Sequence, residues 1–432
     1  MQEKFIPDWS LGNGRIDEGL FCQEFLLMKN LIYYQGSFFN LDGRIRDEMC
    51  LRKEIYDWVS PFLTCSPARK VESILQTLKL AAHRETMPCE ENVVHTANGY
   101  YHFKEGKFYP KRVHCLHRLP VDYNPDAPEP ERWLKFLGEL LYEEDLETFQ
   151  QFMGYCLLPV TYGQKMMIIT GRGGEGKSRI GVVMKALLGE NMNQGSLAKV
   201  ETSPFARADL EHALLMVDDD LRLEALSSTN NIKAIVTAEN PMDLERKGVQ
   251  SYQGRLTCRF MAFGNGTLQA LHDRSHGFFR RQIILTVKEP KPGRKDDPYL
   301  GKRLIREKEG ILNWAMEGLM RLIANDFEFY ISPRAQENMR RNISDSVNIP
   351  EFLDSGGYVS REETGNCTNR QLYSIYCDWC RDNCAAALSA KTFVHWLRQN
   401  EQVLGLAYTH NIPIGNGKTA RGFRGIRACS RF

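Results

Sequence analysis

A glycine-rich run that directly follows a short apolar stretch constrains the fold of this 432-residue chain more than any other feature. The apolar stretch covers residues 166–169, and the run after it consists of Gly171, Arg172, Gly173, Gly174, Glu175, Gly176, Lys177 and Ser178. A strand that ends in glycines and then opens a helix directs several backbone N–H groups and the positive end of the helix at one point. The sequence therefore predicts a phosphate-binding loop in an α/β core, with a chance glycine-rich turn as the alternative.

All the specified positions of the phosphate-loop pattern are filled in this run. Lys177 is expected to reach the β and γ phosphates of ATP, and Ser178 to hold Mg²⁺. The residues predicted to bind ATP are Gly171, Gly173, Gly174, Glu175, Gly176, Lys177, Ser178 and Arg179. ATP and Mg²⁺ are therefore the predicted cofactors.

Composition limits where nucleic acid could bind and where the protein works. Charged residues make up 25% of the chain and the formal net charge is +2, so any contact with nucleic acid must come from local basic patches. No apolar run approaches the ~18 residues that span a bilayer, and the start lacks a signal-peptide core. Twelve scattered cysteines are typical of a reducing compartment. We expect a cytoplasmic protein without membrane partners.

Three cysteines at helical spacing raise the question of a metal site. Cys377, Cys380 and Cys384 fall near one helix face, but no histidine or fourth cysteine follows at ligand distance. The pattern therefore favours small apolar residues packing a helix over a zinc site.

The pattern of the chain predicts three domains, at residues 1–150, 151–330 and 331–432. The first is expected to be mainly helical, and the second alternates short apolar strands with helices, as in a nucleotide-binding sheet.

Local signals place elements inside the first two domains. Residues 68–82, 131–141 and 144–158 have helical patterns, and Asn98-Gly99 marks a hairpin. Apolar residues at helical spacing within residues 310–324 predict the last helix of the second domain.

The third domain resembles a winged helix. Thr368 and Gln371 form a capping-box signal for a helix through Cys380, and Ser389 can cap a second helix at 391–399. Two strands, at 408–414 and 422–428, follow as the wing. The residues expected to contact DNA phosphates are Lys391, His395 and Arg398 on the helix and Lys418, Arg421, Arg424 and Arg427 on the wing. A solvated charged face is the alternative.

A second apolar strand ends in three consecutive carboxylates. The strand covers residues 214–217, and Asp218, Asp219 and Asp220 follow it. Carboxylates at a strand tip beside a phosphate loop suit a nucleotide-bound Mg²⁺ and the orientation of a water. We assign Asp218 to Mg²⁺ and Asp219 to water activation, with Asp220 as an open alternative for the second role. An acidic loop exposed to solvent would explain the same run.

A third strand, at residues 259–263, leads to Asn265. An amide at a strand end beside the γ phosphate can hold the attacking water without being ionised. Asn265 is therefore predicted to act in catalysis.

This ordered set resembles superfamily 3 of the AAA+ helicases, and in particular the phage and plasmid primase-helicase family that includes the poxvirus primase-helicase. The resemblance covers nearly the whole chain. The segments that carry it besides the motifs above are residues 119–125, 151–157, 232–237, 245–248 and 421–426. Glu175 departs from the family, which usually has asparagine there.

The resemblance implies a ring, expected to be a hexamer, with ATP bound between subunits. Arg280 or Arg281 would then be the arginine that each subunit offers to its neighbour's site. In the family a hairpin projects into the ring channel and moves DNA. Here the hairpin residues are Arg246, Lys247, Gly248 and Arg255, with Lys247 the first choice for gripping phosphate.

The function that the resemblance implies is an ATP-dependent replicative DNA helicase of a mobile genetic element, acting on single-stranded or forked DNA. A separate primase or host replication proteins are the expected partners. The alternative is an origin-binding or helicase-loading factor in which ATP only switches assembly.

Overall fold

The computed structural model describes residues 6–88, 91–221, 228–264, 276–293, 296–346, 348–383, 385, 387–415 and 418–429. The chain forms two compact units, Met1–Asn338 and Met339–Phe432. Among the described residues, no helix is both long enough and apolar enough to cross a membrane.

The first 155 residues combine five helices with eight short strands among the residues described. The helices are α1 (Glu18–Lys29), α2 (Glu48–Val59), α3 (Pro67–Ala81), α4 (Glu131–Leu140) and α5 (Leu146–Tyr155). The strands are β1 (Ser10–Gly12), β2 (Arg15–Ile16), β3 (Ile32–Tyr34), β4 (Ser37–Asn40), β5 (Gly43–Ile45), β6 (Val93–Thr96), β7 (Gly99–His102) and β8 (Lys107–Tyr109). They form three small antiparallel sheets, β1-β2, β3-β4-β5 and β6-β7-β8. The predicted helices and the Asn98-Gly99 hairpin are confirmed, but the expectation of a mainly helical region missed most of these strands.

A five-stranded parallel sheet forms the centre of the first unit. The elements of this region are, in chain order, β9 (Met166–Thr170), α6 (Ser178–Leu188), β10 (Met192–Gln194), α7 (Leu197–Thr202), α8 (Pro204–Ala208), β11 (Leu215–Leu221), α9 (Asn230–Thr237), β12 (Met242–Arg246), β13 (Val249–Gly254), β14 (Arg259–Gly264), α10 (His276–Phe279), β15 (Gln282–Thr286), α11 (Leu300–Ile305) and α12 (Lys308–Ala324). The sheet order is β10-β11-β14-β9-β15, and each neighbouring pair is parallel. Every residue of β9 and β14 is buried, as is typical of parallel strands covered on both faces.

The parallel pairing has one consequence for the site. Because parallel strands end at the same edge of a sheet, the carboxyl ends of β9, β11 and β14 are brought together there. The α/β core and its strands at 166–169, 214–217 and 259–263 are thus confirmed.

Helices α5 and α12 pack so closely that two glycines are required between them. A Cβ on Gly154 would lie 2.4 Å from the carbonyl oxygen of Ala315, and a Cβ on Gly318 would lie 2.5 Å from that of Gln150. This contact joins the segment before residue 150 to the end of the sheet domain. The predicted boundary at residue 150 therefore falls inside a single compact unit, and the three-domain division stays a prediction.

We expect Gly154→Ala to lower the free energy of unfolding by about 1–3 kcal/mol, because the added methyl forces two backbones apart. Gly138→Ala is the matched control, since Gly138 lies inside α4 with no atom within 4 Å of its would-be Cβ. That change should be neutral or stabilise by up to ~1 kcal/mol through helix propensity. Urea unfolding of both variants tests the packing, and equal stability of the two would contradict it.

The second unit is a three-stranded antiparallel sheet with helices. Helix α13 (Pro333–Ser346) begins in the first unit and ends in the second. The remaining elements are α14 (Ile349–Asp354), β16 (Val359–Thr368), α15 (Asn369–Asp382), α16 (Ala390–Gln399), α17 (Glu401–Leu404), β17 (Ala407–Pro413) and β18 (Thr419–Ala428), with sheet order β16-β18-β17. Both halves of the Thr368–Gln371 capping box are present, and the Ser389 Oγ accepts the Thr392 N–H at 3.2 Å. The predicted helices and strand pair are confirmed, and β16 is an addition.

Candidate functional site

The glycine-rich run forms a loop between β9 and α6 at the carboxyl edge of the sheet. Gly173, Gly174 and Gly176 have φ angles of 108°, 80° and 101°, which residues with a Cβ rarely adopt. A Cβ on Gly171 would lie 2.5 Å from the Val287 side chain, so this position also demands glycine. The loop therefore delivers its backbone N–H groups and the N-terminus of α6 to one place.

The carboxylate of Glu175 lies at the point where the N–H groups of the loop converge. It accepts hydrogen bonds from the backbone N–H of Arg172 and from that of Gly173, the latter at 2.9 and 3.0 Å to its two oxygens. The Lys177 Nζ donates to the same carboxylate at 2.7 Å. Burial opposes the charged form, but the hydrogen bonds from Lys177 and the loop backbone outweigh it and hold the pKa of Glu175 below its usual value. The loop thus holds an anion by the donors that a phosphate would use.

We expect Glu175→Gln to bind ATP about tenfold more tightly than the unchanged chain, because a neutral amide competes less well than a carboxylate for donors the phosphates need. Calorimetric titration with ATP measures the change. Glu143→Gln, at an exposed position outside the cleft, is the matched control. Weaker binding by Glu175→Gln would instead show that the carboxylate holds Lys177 in place for the nucleotide.

Strand β11 carries its three aspartates in an irregular stretch. Asp218 pairs with Ala262 of β14, whereas Leu221 pairs with Gly264, so β11 has one extra residue between these positions. Regular alternation would send neighbouring side chains to opposite faces of the sheet. A bulge re-aims side chains, and here both Asp219 and Asp220 line the cleft that contains the phosphate loop.

Asp218 has a different environment. Its Oδ2 accepts the Leu197 N–H at the start of α7 at 2.8 Å, and its Oδ1 accepts the Asp220 N–H at 3.3 Å. Burial raises the pKa of Asp218, and these two hydrogen bonds oppose that rise. Asp218 is not among the residues that line the cleft, so its assignment to Mg²⁺ stays a prediction that the geometry does not favour.

The cleft has a volume of about 820 Å³. Its lining also includes residues that the sequence did not mark, from α4 and from the segment before α11: Phe136, Glu139, Asp296, Asp297 and Pro298. Ser178 and Arg179 line it together with Lys177. No spacing rule could have found the α4 residues, because they lie in a different part of the chain.

The donors in this cleft fit Mg²⁺ held with a nucleotide. Within the described residues there is no cluster of three metal-ligating side chains. Mg²⁺ commonly binds through one or two carboxylates plus substrate phosphates, with waters completing the shell. The Ser178 hydroxyl, Asp219 and Asp220 supply such a partial set in one cleft.

Arg280 and Arg281 lie at the opposite edge of the sheet from their own chain's phosphate loop. They precede β15, whose first residue, Gln282, pairs with Met166 at the start of β9. The length of β9, at ~3.3 Å per residue, separates them from the loop by roughly 16 Å along the sheet. Arg280 is exposed, and the Arg281 guanidinium donates to the Gly277 carbonyl. Neither arginine is placed to complete the cleft of its own chain.

The predicted hairpin is present as β12 and β13. Arg246 pairs with Val249, which leaves Lys247 and Gly248 as a two-residue turn, and Lys247 is exposed. Arg246 is not free at the tip, since it forms an ion pair with Glu211. Arg255 follows the end of β13 rather than lying on it, and its Nε donates to the Ala238 carbonyl at 2.7 Å.

The basic residues of the second unit occupy exposed positions. On α16, Lys391, His395 and Arg398 are exposed while Phe393 and Leu397 are buried. The exposed residues on and beside β18 are Lys418, Arg421, Arg424 and Arg427. Arg398 also stacks over the Tyr408 ring at 4.5 Å. Two residues named in the sequence analysis, Asn265 and Cys384, lie outside the described residues.

Two family matches cover separate parts of the chain. Residues 36–141 match the family D5 N terminal like, and residues 169–281 match a family of unknown function, DUF5906. The second match begins in β9 and ends before β15, so it spans the phosphate loop, the three aspartates and the hairpin.

The fold is shared with the C-terminal region of NrS-1. The A-form apo structure of that region is 14% identical, with a TM-score of 0.53, and the match covers 94% of this chain and 99% of the other. A second apo structure, of NrS-1 residues 305–718, is 14% identical with a TM-score of 0.52, covering 95% and 99%. At this identity the likeness shows the fold. The D5 N-terminal-like match covers residues 36–141, the part of the chain before the phosphate loop, and agrees with the family resemblance there.

Proposed function

We propose that this protein is an ATP-driven DNA helicase in the replication of a phage, plasmid or other mobile element, with an AAA+ core and a winged-helix domain. One observation carries the proposal. A single cleft at the carboxyl edge of a parallel sheet brings together the phosphate loop, Ser178 and the carboxylates of Asp219 and Asp220. The fold likeness to the NrS-1 region extends over nearly the whole chain. It therefore supports assigning the regions before and after the central sheet to the same proposed function.

In the proposed hydrolysis, Lys177 and the loop N–H groups bind the β and γ phosphates. Ser178 and one of the two carboxylates would hold Mg²⁺, which when bound would neutralise charge on the phosphates. The other carboxylate orients the attacking water and accepts its proton. Water then displaces ADP from the γ phosphorus, giving ADP and inorganic phosphate.

The distance of Arg280 and Arg281 from their own cleft supports a site completed by a neighbouring subunit. An arginine supplied in this way stabilises charge on the transferring phosphoryl group. We therefore propose a closed ring, expected to be a hexamer, in which each ATP is bound between two subunits. The exposed Lys247 would then contact DNA phosphates in the channel, and the basic face of α16 and β18 would add further contacts.

The function is tested by ATP-dependent displacement of a labelled strand from a DNA fork. We expect Lys247→Ala to reduce displacement by roughly tenfold, the effect of losing ~1.4 kcal/mol of phosphate contact, while ATP hydrolysis persists. Lys104→Ala is the matched control, because Lys104 is also an exposed lysine in a hairpin turn, between β7 and β8. Full displacement activity in Lys247→Ala would show that Lys247 does not grip the DNA during unwinding. ATP-dependent assembly on DNA without strand displacement would favour a loading factor, in which ATP switches assembly only. Absence of strand displacement by the unchanged protein would contradict the helicase proposal.

A further inference from the structure

A second cleft in the first unit has the character of an anion site. It has a volume of about 810 Å³ and lies beside the edge strand β10, and it shares no lining residue with the phosphate-loop cleft. Its cationic lining residues come from four elements, β5 and its end, α6, α7 and β12: Arg44, Arg46, Lys185, Lys199 and Arg246. Of the described residues that line it, Asp209 is the one that is acidic.

Only part of this positive charge is neutralised by direct ion pairs among the described residues. Arg46 pairs with Glu190 at 2.6 Å, and Arg246 pairs with Glu211. Within the described part of the chain, Arg44 and Lys199 form no ion pair, and the Arg44 Nε is buried without a hydrogen-bond partner. Burial lowers the pKa of Arg44, and the charges of Arg46 and Arg246 lower it further, while Glu211 and Glu190 oppose this shift without reversing it.

His212 supplies an unsatisfied buried donor or acceptor at the same place. It lines the cleft and is 8% exposed, and its Nε2 has no hydrogen-bond partner among the described residues. Burial, followed by the charges of Arg44, His117, Arg246 and Arg46, lowers the pKa of His212 to about 3. The ring is neutral near pH 7 and can donate one N–H. A buried polar atom left unpaired costs ~1–3 kcal/mol, which a bound anion would recover.

A neighbouring cavity adds aromatic surface. It has a volume of about 860 Å³ and shares His212 and Arg246 with the basic cleft. Its lining includes four tyrosines and a further arginine: Tyr33, Tyr34, Tyr162, Tyr252 and Arg255. Two carboxylates also line it, Glu91 and Glu211, and they accept hydrogen bonds from the hydroxyls of Tyr162 and Tyr252. Aromatic rings beside a basic groove are the combination that binds bases by stacking and phosphates by charge.

We propose that this pair of cavities binds nucleotides through their phosphoryl groups, with Arg44 and Lys199 contacting phosphate and the tyrosines stacking on bases. The ligand is either a free nucleotide or a nucleotide unit of a single-stranded polynucleotide, since both present the same chemistry. The site is separate from the phosphate loop and does not require that the chain be a motor.

The test uses the full chain and two probes. One is a fluorescent oligothymidylate of roughly 20 nucleotides, longer than one such site needs. The other is unlabelled thymidine 5′-diphosphate, used as competitor. We expect Arg44→Gln combined with Lys199→Gln to weaken oligothymidylate binding about tenfold at ~50 mM salt, and to reduce the slope of log K against log salt by about 0.7 per lost contact.

The matched control is Lys53→Gln with Arg69→Gln, which removes the same two charges from exposed positions on α2 and α3. Lys199→Gln alone is a second variant, because Lys199 is exposed and its loss leaves the core intact. If thymidine 5′-diphosphate displaces the oligothymidylate from the unchanged chain but not from the double variant, the result would support a nucleotide ligand. Weakening of the oligothymidylate alone would support a polynucleotide. If the double variant and Lys199→Gln bind both probes with wild-type affinity and salt slope, the proposal is overturned.

Discussion

Replacing Lys177 with alanine is expected to lower ATP hydrolysis by at least about a hundredfold while the chain stays folded. Lys177 is 8% exposed, and its Nζ lies 2.7 Å from the carboxylate held in the phosphate-loop cradle. The amine is therefore already placed where the β and γ phosphates would lie. Its removal takes away a fixed positive charge from the position where negative charge builds up on the phosphoryl group.

Lys135→Ala is the matched control for this change. Lys135 is an exposed lysine on α4, the helix that contributes Phe136 and Glu139 to the same cleft, but it does not itself line the cleft. Phosphate release and thermal unfolding are measured for both variants. Hydrolysis by Lys177→Ala at the rate of Lys135→Ala would show that the phosphate loop does not carry the reaction.

Three strands of the central sheet, β9, β11 and β14, could be predicted because they contain short apolar runs. The other two were not predicted, since β10 is the three-residue segment Met192–Gln194 with two polar residues and β15 has polar residues at both ends. The residues of β9 and the buried part of β11 contain no polar side chain until their carboxyl ends. Helix starts such as Thr368 and Ser389 were also predictable, because capping uses the side chain of a single residue on its nearest neighbours.

The short strands β1 to β5 could not be predicted. They are two to four residues long, too short for an alternating pattern to be distinguished from a loop. They are positioned by packing against α1, α2 and α3 in a separate apolar core that includes Trp9, Phe21 and Phe38.

The composition of the candidate site was predictable in part. The phosphate loop and the aspartates are local motifs, but the directions of the three carboxylates depend on one extra residue in β11 opposite β14. That irregularity is a property of the pairing between two strands distant in sequence. In the same way, the hydrogen bonds of Glu175 depend on the folded path of the loop, which the spacing of glycines indicates only in outline.

The bulge in β11 predicts different roles for the three aspartates, since it directs Asp219 and Asp220, but not Asp218, to the cleft. We expect Asp219→Asn and Asp220→Asn each to lower ATP hydrolysis by about a hundredfold or more, because both side chains line the cleft and a general base or metal ligand contributes on that scale. Asp218→Asn should have a much smaller effect, because asparagine can still accept the Leu197 N–H at the start of α7.

The dependence of hydrolysis on Mg²⁺ separates the two roles in the cleft. Loss of the metal-holding carboxylate should raise the Mg²⁺ concentration needed for half-maximal hydrolysis, since the ion then depends more on the phosphates and waters. Loss of the water-activating carboxylate should lower the maximal rate and leave that concentration unchanged. Asp218→Ala serves as a stability control, expected to cost about 1–2 kcal/mol through loss of the α7 contact. If Asp218→Asn abolishes hydrolysis while the other two variants retain it, the metal is held by Asp218, and the side chain must leave Leu197 when the nucleotide binds.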